Sequence, residues 1–137
     1  MHLQVLSSGS AGNATLIRAG EQRILVDAGL GPRNMAQRLE QAGVPPKGLD
    51  HILITHGHLD HARSAGALAK KYEATLHCAG GYMDHPAFKR AKKMSTLPVD
   101  GEIELESRHG EAPIRVETMG LPHDCDPTVA MRFTHED

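Results

Sequence analysis

The chain has 137 residues, enough for one domain of ordinary size, and its 39% hydrophobic content can supply a core poor in aromatics, with no Trp and only Tyr72, Tyr82, Phe88 and Phe133. A net charge of −2 leaves no basic footprint for nucleic acid or an anionic membrane, although a metal site can hold phosphate without a basic surface. No apolar run approaches the ~20 residues of a membrane span, the amino terminus carries no secretory leader pattern, and Cys78 and Cys125 form no CxxC pair or staple framework; the expected setting is a reducing cytoplasm.

His2 to Leu6 predicts a short strand, followed by the small, flexible loop Ser7-Ser8-Gly9-Ser10-Ala11-Gly12-Asn13. Residues 14–18 and 22–26 predict two strands joined by the Ala19-Gly20-Glu21 turn, hence an antiparallel hairpin. Pro32 suits the first turn of a helix carrying Met35, Leu39 and Ala42, with Gly43 as its stop. The apolar run Leu49 to Thr55 predicts a buried strand, and residues 62–71 a helix with Asp60 near its N-cap. Residues 74–78 predict a further strand and residues 86–93 a short basic helix; residues 97–106 read as loop and weak strand. Residues 114–119 alternate apolar and polar, as a half-buried strand does, and one more strand begins at Val129. Strands in runs interleaved with helices indicate an α/β or α+β layered single domain over residues 1–137.

The chemistry concentrates in Thr55-His56-Gly57-His58-Leu59-Asp60-His61, directly after the buried run. Residues two apart on an extended segment point the same way, so His56 and His58 can grip one metal, with Gly57 letting the backbone bend between them. A helix starting near Asp60 turns Asp60 and His61 toward a second metal. Imidazole and carboxylate together suit zinc, manganese or iron, and two metals ~3.5–4 Å apart can polarise a phosphoryl or ester oxygen and generate a hydroxide nucleophile.

This segment resembles the HxHxDH signature of metallo-β-lactamase-fold hydrolases, in which it follows a strand and precedes a helix. The resemblance implies an αββα sandwich and a further set of residues. His123, in Gly120-Leu121-Pro122-His123, matches the later histidine that joins His56 and His58 at the first metal. Asp60 and His61 would serve the second metal, with Asp60 also orienting the attacking water, and Asp27 matches the strand-ending acid that supports the ligand loop. On sequence alone, Asp27 also reads as a turn residue and His123 as an ordinary loop histidine. The SSGSxGN opening is similar to that of the branch containing bacterial phosphodiesterases and nucleic-acid exonucleases; there Ser10 and Asn13 are the side chains expected to meet a substrate phosphate.

The resemblance runs to about residue 133 and then lacks the second half of the family fold. That half carries the acid bridging both metals and the last histidine of the second site; His135 and Asp137 have no supporting motif. The expectation is therefore the N-terminal half of the fold, truncated at the C-terminus, with a complete three-histidine zinc site, a weakened second site and a bare inner sheet face that a second copy could cover as a homodimer. The expected function is metal-dependent hydrolysis of a phosphodiester, DNA or RNA, by a metal-bound hydroxide. The alternatives are thioester or lactone hydrolysis, and a silent metal-binding half-domain acting by association. Two basic stretches, Lys70-Lys71 and residues 89–93, read as solvated helix faces ahead of the alternative, a nucleic-acid groove, and His51, His77, His85 and His109 as surface or packing residues.

Overall fold

An apolar run with no polar face must be covered on both sides, and Ile52, Leu53 and Ile54 are at most 1% exposed. In the computed structural model, which describes residues 1–121 and 128–135, this run lies inside a six-stranded sheet. Its spatial order is β1 (His2–Ser7), β2 (Ala14–Ala19), β3 (Gln22–Val26), β4 (His51–Leu53), β5 (Thr75–Cys78) and β6 (Lys93–Thr96). β1 to β3 form an antiparallel meander, and β3 to β6 run parallel. The expected hairpin is present, with Ala19 paired to Gln22 and Gly20 at φ 59°. Helices α1 (Pro32–Gln41), α2 (Leu59–Ala62) and α3 (Ala65–Tyr72) lie in the crossovers between parallel strands. Met35 and Leu39 of α1 and Leu68 and Tyr72 of α3 pack against Leu16, Leu25, Ile52 and Leu76 of the sheet. Among the described residues, no helix is long and apolar enough to cross a membrane.

Two predicted helices change form. The helix expected over residues 62–71 is broken at Arg63 and Ser64. The Ser64 N–H donates to the Ala28 carbonyl at 2.8 Å, and its hydroxyl to the Leu30 carbonyl, which draws Ser64 out of the helical ladder. The basic helix expected over residues 86–93 is only a 3-10 turn, Pro86–Phe88, because Lys93 to Thr96 are recruited as β6 against β5. Pairing partners far along the chain override local propensity here.

β7 (Gly101–Leu105), β8 (Ile114–Leu121) and β9 (Thr128–Thr134) form a second, antiparallel sheet. Leu105, Ile114, Val116 and Val129 pack from it onto Ile17, Ile24 and Leu53 of the first sheet. The inner face expected to be bare is therefore mostly covered, by the chain's own strands β7, β8 and β9. It remains open at β1, where Leu3 and Val5 are 62% and 58% exposed; Leu3 pairs with Ile17 and so shares its face.

A buried carboxylate joins the layers at the end of the sheet opposite the histidine cluster. Asp50, just before β4, accepts from the Arg23 N–H and from Arg108 Nε, each at 2.8 Å. Arg108, in the loop between β7 and β8, also donates to the carbonyls of Lys47, Leu49 and Glu73. His109 Nε2 lies 3.4 Å from the same carboxylate, so His109 belongs to this junction.

His51 and His77 form a second buried polar pair, with His51 Nδ1 2.9 Å from His77 Nε2. The Glu106 carbonyl, 2.9 Å from His51 Nε2, can only accept, which places the His51 proton on Nε2. His77 must then donate from Nε2, leaving its buried Nδ1 with no hydrogen-bond partner. Burial, then the adjacent His51, pushes the His77 pKa down to about 4, and burial also lowers that of His51. The unfolded chain takes up a proton on His77 near pH 6.5, while the folded protein resists until about pH 4. Stability is therefore full above pH 6.5 and falls as the pH drops toward 4, by about 3 kcal/mol from His77 alone. Urea midpoints of the chelator-treated protein between pH 7.5 and 4.5 measure this. A His77→Leu variant should flatten the slope, and an unchanged slope would refute the assignment.

Candidate metal centre

The parallel strands β3 and β4 end together, and the polar residues that follow them meet at that end, the usual place for a site in a parallel sheet. Asp27 leaves β3 with φ 65°, a left-handed conformation that Asp tolerates better than most residues. The turn directs its carboxylate, 5% exposed, under the segment that follows β4. Asp27 Oδ1 accepts from the Thr55 N–H at 2.8 Å, and Oδ2 from the Thr55 hydroxyl at 2.8 Å. The same Oδ2 is 2.6 Å from His61 Nδ1. The hydrogen bond to Asp27 raises the His61 pKa, against the opposing effect of burial. It also commits Nδ1–H to the carboxylate and leaves Nε2 for a metal, the arrangement by which a carboxylate sets the tautomer of a ligating histidine.

His56, His58 and Asp60 offer ligand atoms that all lie within 4.8 Å of one another. The ring of His56 is 4.9 Å from that of His58 and 4.0 Å from that of His61, centroid to centroid. His61 Nε2 lies 3.7 Å from Asp60 Oδ2. The four residues of the motif are thus brought together, with Asp60 bordering both His61 and the His56–His58 pair. This mixed nitrogen and oxygen donor set fits zinc, manganese or iron. His123 lies outside the described residues, as does Cys125.

The glycine-serine loop packs directly on this centre. The Asn13 N–H and side-chain amide both donate to the Asp60 carbonyl, at 2.8 and 3.1 Å. The Asn13 side chain also closes its own loop, accepting from the Gly9 N–H and donating to the Gly9 carbonyl. Its amide nitrogen stands 3.4 Å from His61 Nε2. Ser10 is exposed at the tip of the loop turn. Thr55 has a part that its sequence context alone did not reveal: its hydroxyl bridges Asp27 and the His56 ring, 3.1 Å from Nδ1, and its carbonyl accepts from the Val129 N–H of the second sheet. His85, read from sequence as a surface or packing residue, contacts the Gly57 carbonyl through Nε2 at 2.8 Å. No spacing rule links it to the motif.

The described residues thus place a histidine and carboxylate cluster at the C-terminal ends of parallel strands, in a sandwich of two sheets with helices packed on the outer face of the first. The chain belongs to the metallo-beta-lactamase superfamily, whose family model matches residues 8–129. It is 30% identical over 141 residues to the exodeoxyribonuclease WalJ of Streptococcus pneumoniae, covering 97% of this chain and 49% of that protein. It is also 30% identical to the exodeoxyribonuclease YycJ of Bacillus anthracis, over 91% of this chain and 47% of the relative. A ribonuclease Z of Mycobacterium bovis matches at 40% identity over 48% of the chain and 25% of its own length. Among solved structures, a subclass B3 metallo-beta-lactamase from a soil metagenome superposes with a TM-score of 0.73 at 20% identity, covering 98% of this chain and 55% of that one, a likeness of fold. The chain spans about half the length of the two exodeoxyribonucleases and of this lactamase.

Proposed function

We propose that this chain carries the metal-binding half of a phosphodiesterase that acts on DNA or RNA. The observation that supports this most directly is the Asp27–His61 contact beside the His56, His58 and Asp60 cluster, in a chain similar along almost its whole length to two exodeoxyribonucleases. His56, His58 and His123 would hold one zinc, and Asp60 and His61 a second, with manganese or iron as the other metals this donor set accepts. The metals would supply Lewis acidity and lower the pKa of a bound water. Asp27 holds His61 in the ligating tautomer. Asn13 fixes the Asp60 backbone so that its carboxylate can orient the attacking water, and Ser10 at the loop tip would meet the substrate phosphate together with Asn13. The reaction would take place in the cytoplasm.

Elemental analysis and a substrate panel test this reading together. We expect at least one zinc per chain and faster hydrolysis of bis-p-nitrophenyl phosphate and linear DNA than of a thioester or lactone. A metal-free chain, or a preference for the thioester, would refute it. The exposed Leu3 and Val5 favour a second reading, in which the half-domain binds metal and acts by association with a second copy. That reading predicts bound zinc, a concentration-dependent dimer and no hydrolysis of any substrate in the panel.

A further inference from the structure

Gly57, between the first two ligands of the cluster, has more backbone freedom than any other residue type would have, so something outside the motif must hold it. Two residues of the connection between β5 and β6 do so. The Tyr82 ring lies against Gly57 so closely that a Cβ on the glycine would come within 2.7 Å of Tyr82 Cε1 and 3.0 Å of Cδ1. The His85 ring approaches from the same connection. Its Nδ1 accepts from the Ala87 N–H at 3.0 Å, so the proton lies on Nε2 and is donated to the Gly57 carbonyl at 2.8 Å. The ring is itself fixed: it stacks on Phe88, with centroids 4.8 Å apart and planes at 26°. Phe88 is 1% exposed and is wedged against Gly66 of α3, where an added Cβ would meet the Phe88 Cα at 3.0 Å.

From this contact chain we infer that His85 is a positioning residue for the metal centre: by donating to the Gly57 carbonyl it holds His56 and His58 in the geometry that grips one ion. The inference rests on the metal-centre reading above and extends it to a residue outside the motif. Orientation of ligands by a hydrogen bond from outside the coordination sphere is commonly worth 10–100-fold in metal affinity.

The two ring nitrogens have different tasks, and two variants separate them. His85→Gln can place an amide N–H near the Nε2 position and keep the bond to Gly57. His85→Asn can replace only the Nδ1 acceptor. The measurement is the zinc dissociation constant of the 137-residue chain by competition with a chromophoric chelator, alongside the melting temperature of the metal-free protein and the visible spectrum of the cobalt form. We expect His85→Ala and His85→Asn to bind zinc 10–100-fold more weakly with a changed cobalt spectrum, and His85→Gln to stay within about threefold of the parent. Equal affinity in all four proteins would overturn the inference, as would losses that track the metal-free melting temperature in all three variants. A parent chain that binds no zinc would overturn the metal-centre reading itself, an outcome distinct from either.

Discussion

Replacing His58 with alanine is expected to weaken zinc binding about a thousandfold and to abolish turnover. His58 is one of only three residues whose ligand atoms cluster within 4.8 Å among the described residues. Structural zinc sites are worth about 10–16 kcal/mol, so one ligand in three or four contributes roughly 4 kcal/mol, or three orders of magnitude. The side chain is exposed and adds nothing to the core, and the variant should melt like the parent when both are metal-free. Equilibrium dialysis followed by elemental analysis reads the result. Zinc retained at parental stoichiometry under competing chelator would remove His58 from the centre.

Gly29→Ala is expected to be the most damaging small substitution in the chain. A Cβ there would lie 1.7 Å from the Asp60 carbonyl oxygen and 2.7 Å from the Asn13 nitrogen, both backbone atoms with no rotamer to yield. Three strands of backbone meet at this point: the Gly29 N–H donates to the Asn13 carbonyl, and Asn13 in turn donates to the Asp60 carbonyl. Separating them should cost about 3 kcal/mol or more, the upper end for an overpacked site. It should also displace Asp60 from His56 and His58, so stability and metal affinity fall together. Gly31→Ala is the control, since Gly31 has φ −61° and nothing within 4 Å of an added Cβ. Urea unfolding of the two variants decides the matter. A Gly29→Ala protein as stable as Gly31→Ala would show that the three segments are less closely packed than described.

Much of the fold was legible because its signals are local. The two-residue hairpin at Gly20 and Glu21, the Pro32 start of α1 and the apolar run of β4 each lie within a few residues of what determines them. The errors share a cause at longer range. Ser64 breaks the predicted helix because the loop at Ala28 to Leu30 bonds to it, and Lys93 to Thr96 leave theirs because β5 offers an edge. The sheet face expected to be bare is instead mostly covered by β7, β8 and β9, which reach it from far along the chain. At the site, the adjacency of His56, His58, Asp60 and His61 follows from spacing. The use of Asn13 to hold Asp60 does not, nor does the bridging role of Thr55, since each depends on a segment more than two dozen residues away.

The sequence by itself determined that His56, His58, Asp60 and His61 lie side by side, because strand alternation and helix geometry constrain side chains within a six-residue span without help from the rest of the chain. Only the tertiary structure decided how that set is held. It brought the Asp27 carboxylate to His61 Nδ1, the Asn13 amide to the Asp60 carbonyl and the His85 ring to Gly57. It also buried His51 against His77, a pairing that no spacing in the sequence indicates. The physical reason is the directionality of these contacts. A hydrogen bond of 2.6–3.1 Å requires donor and acceptor to meet at a set angle, and for residues 26 to 47 positions apart only the register of the sheet and the packing of the loops on it can bring that about.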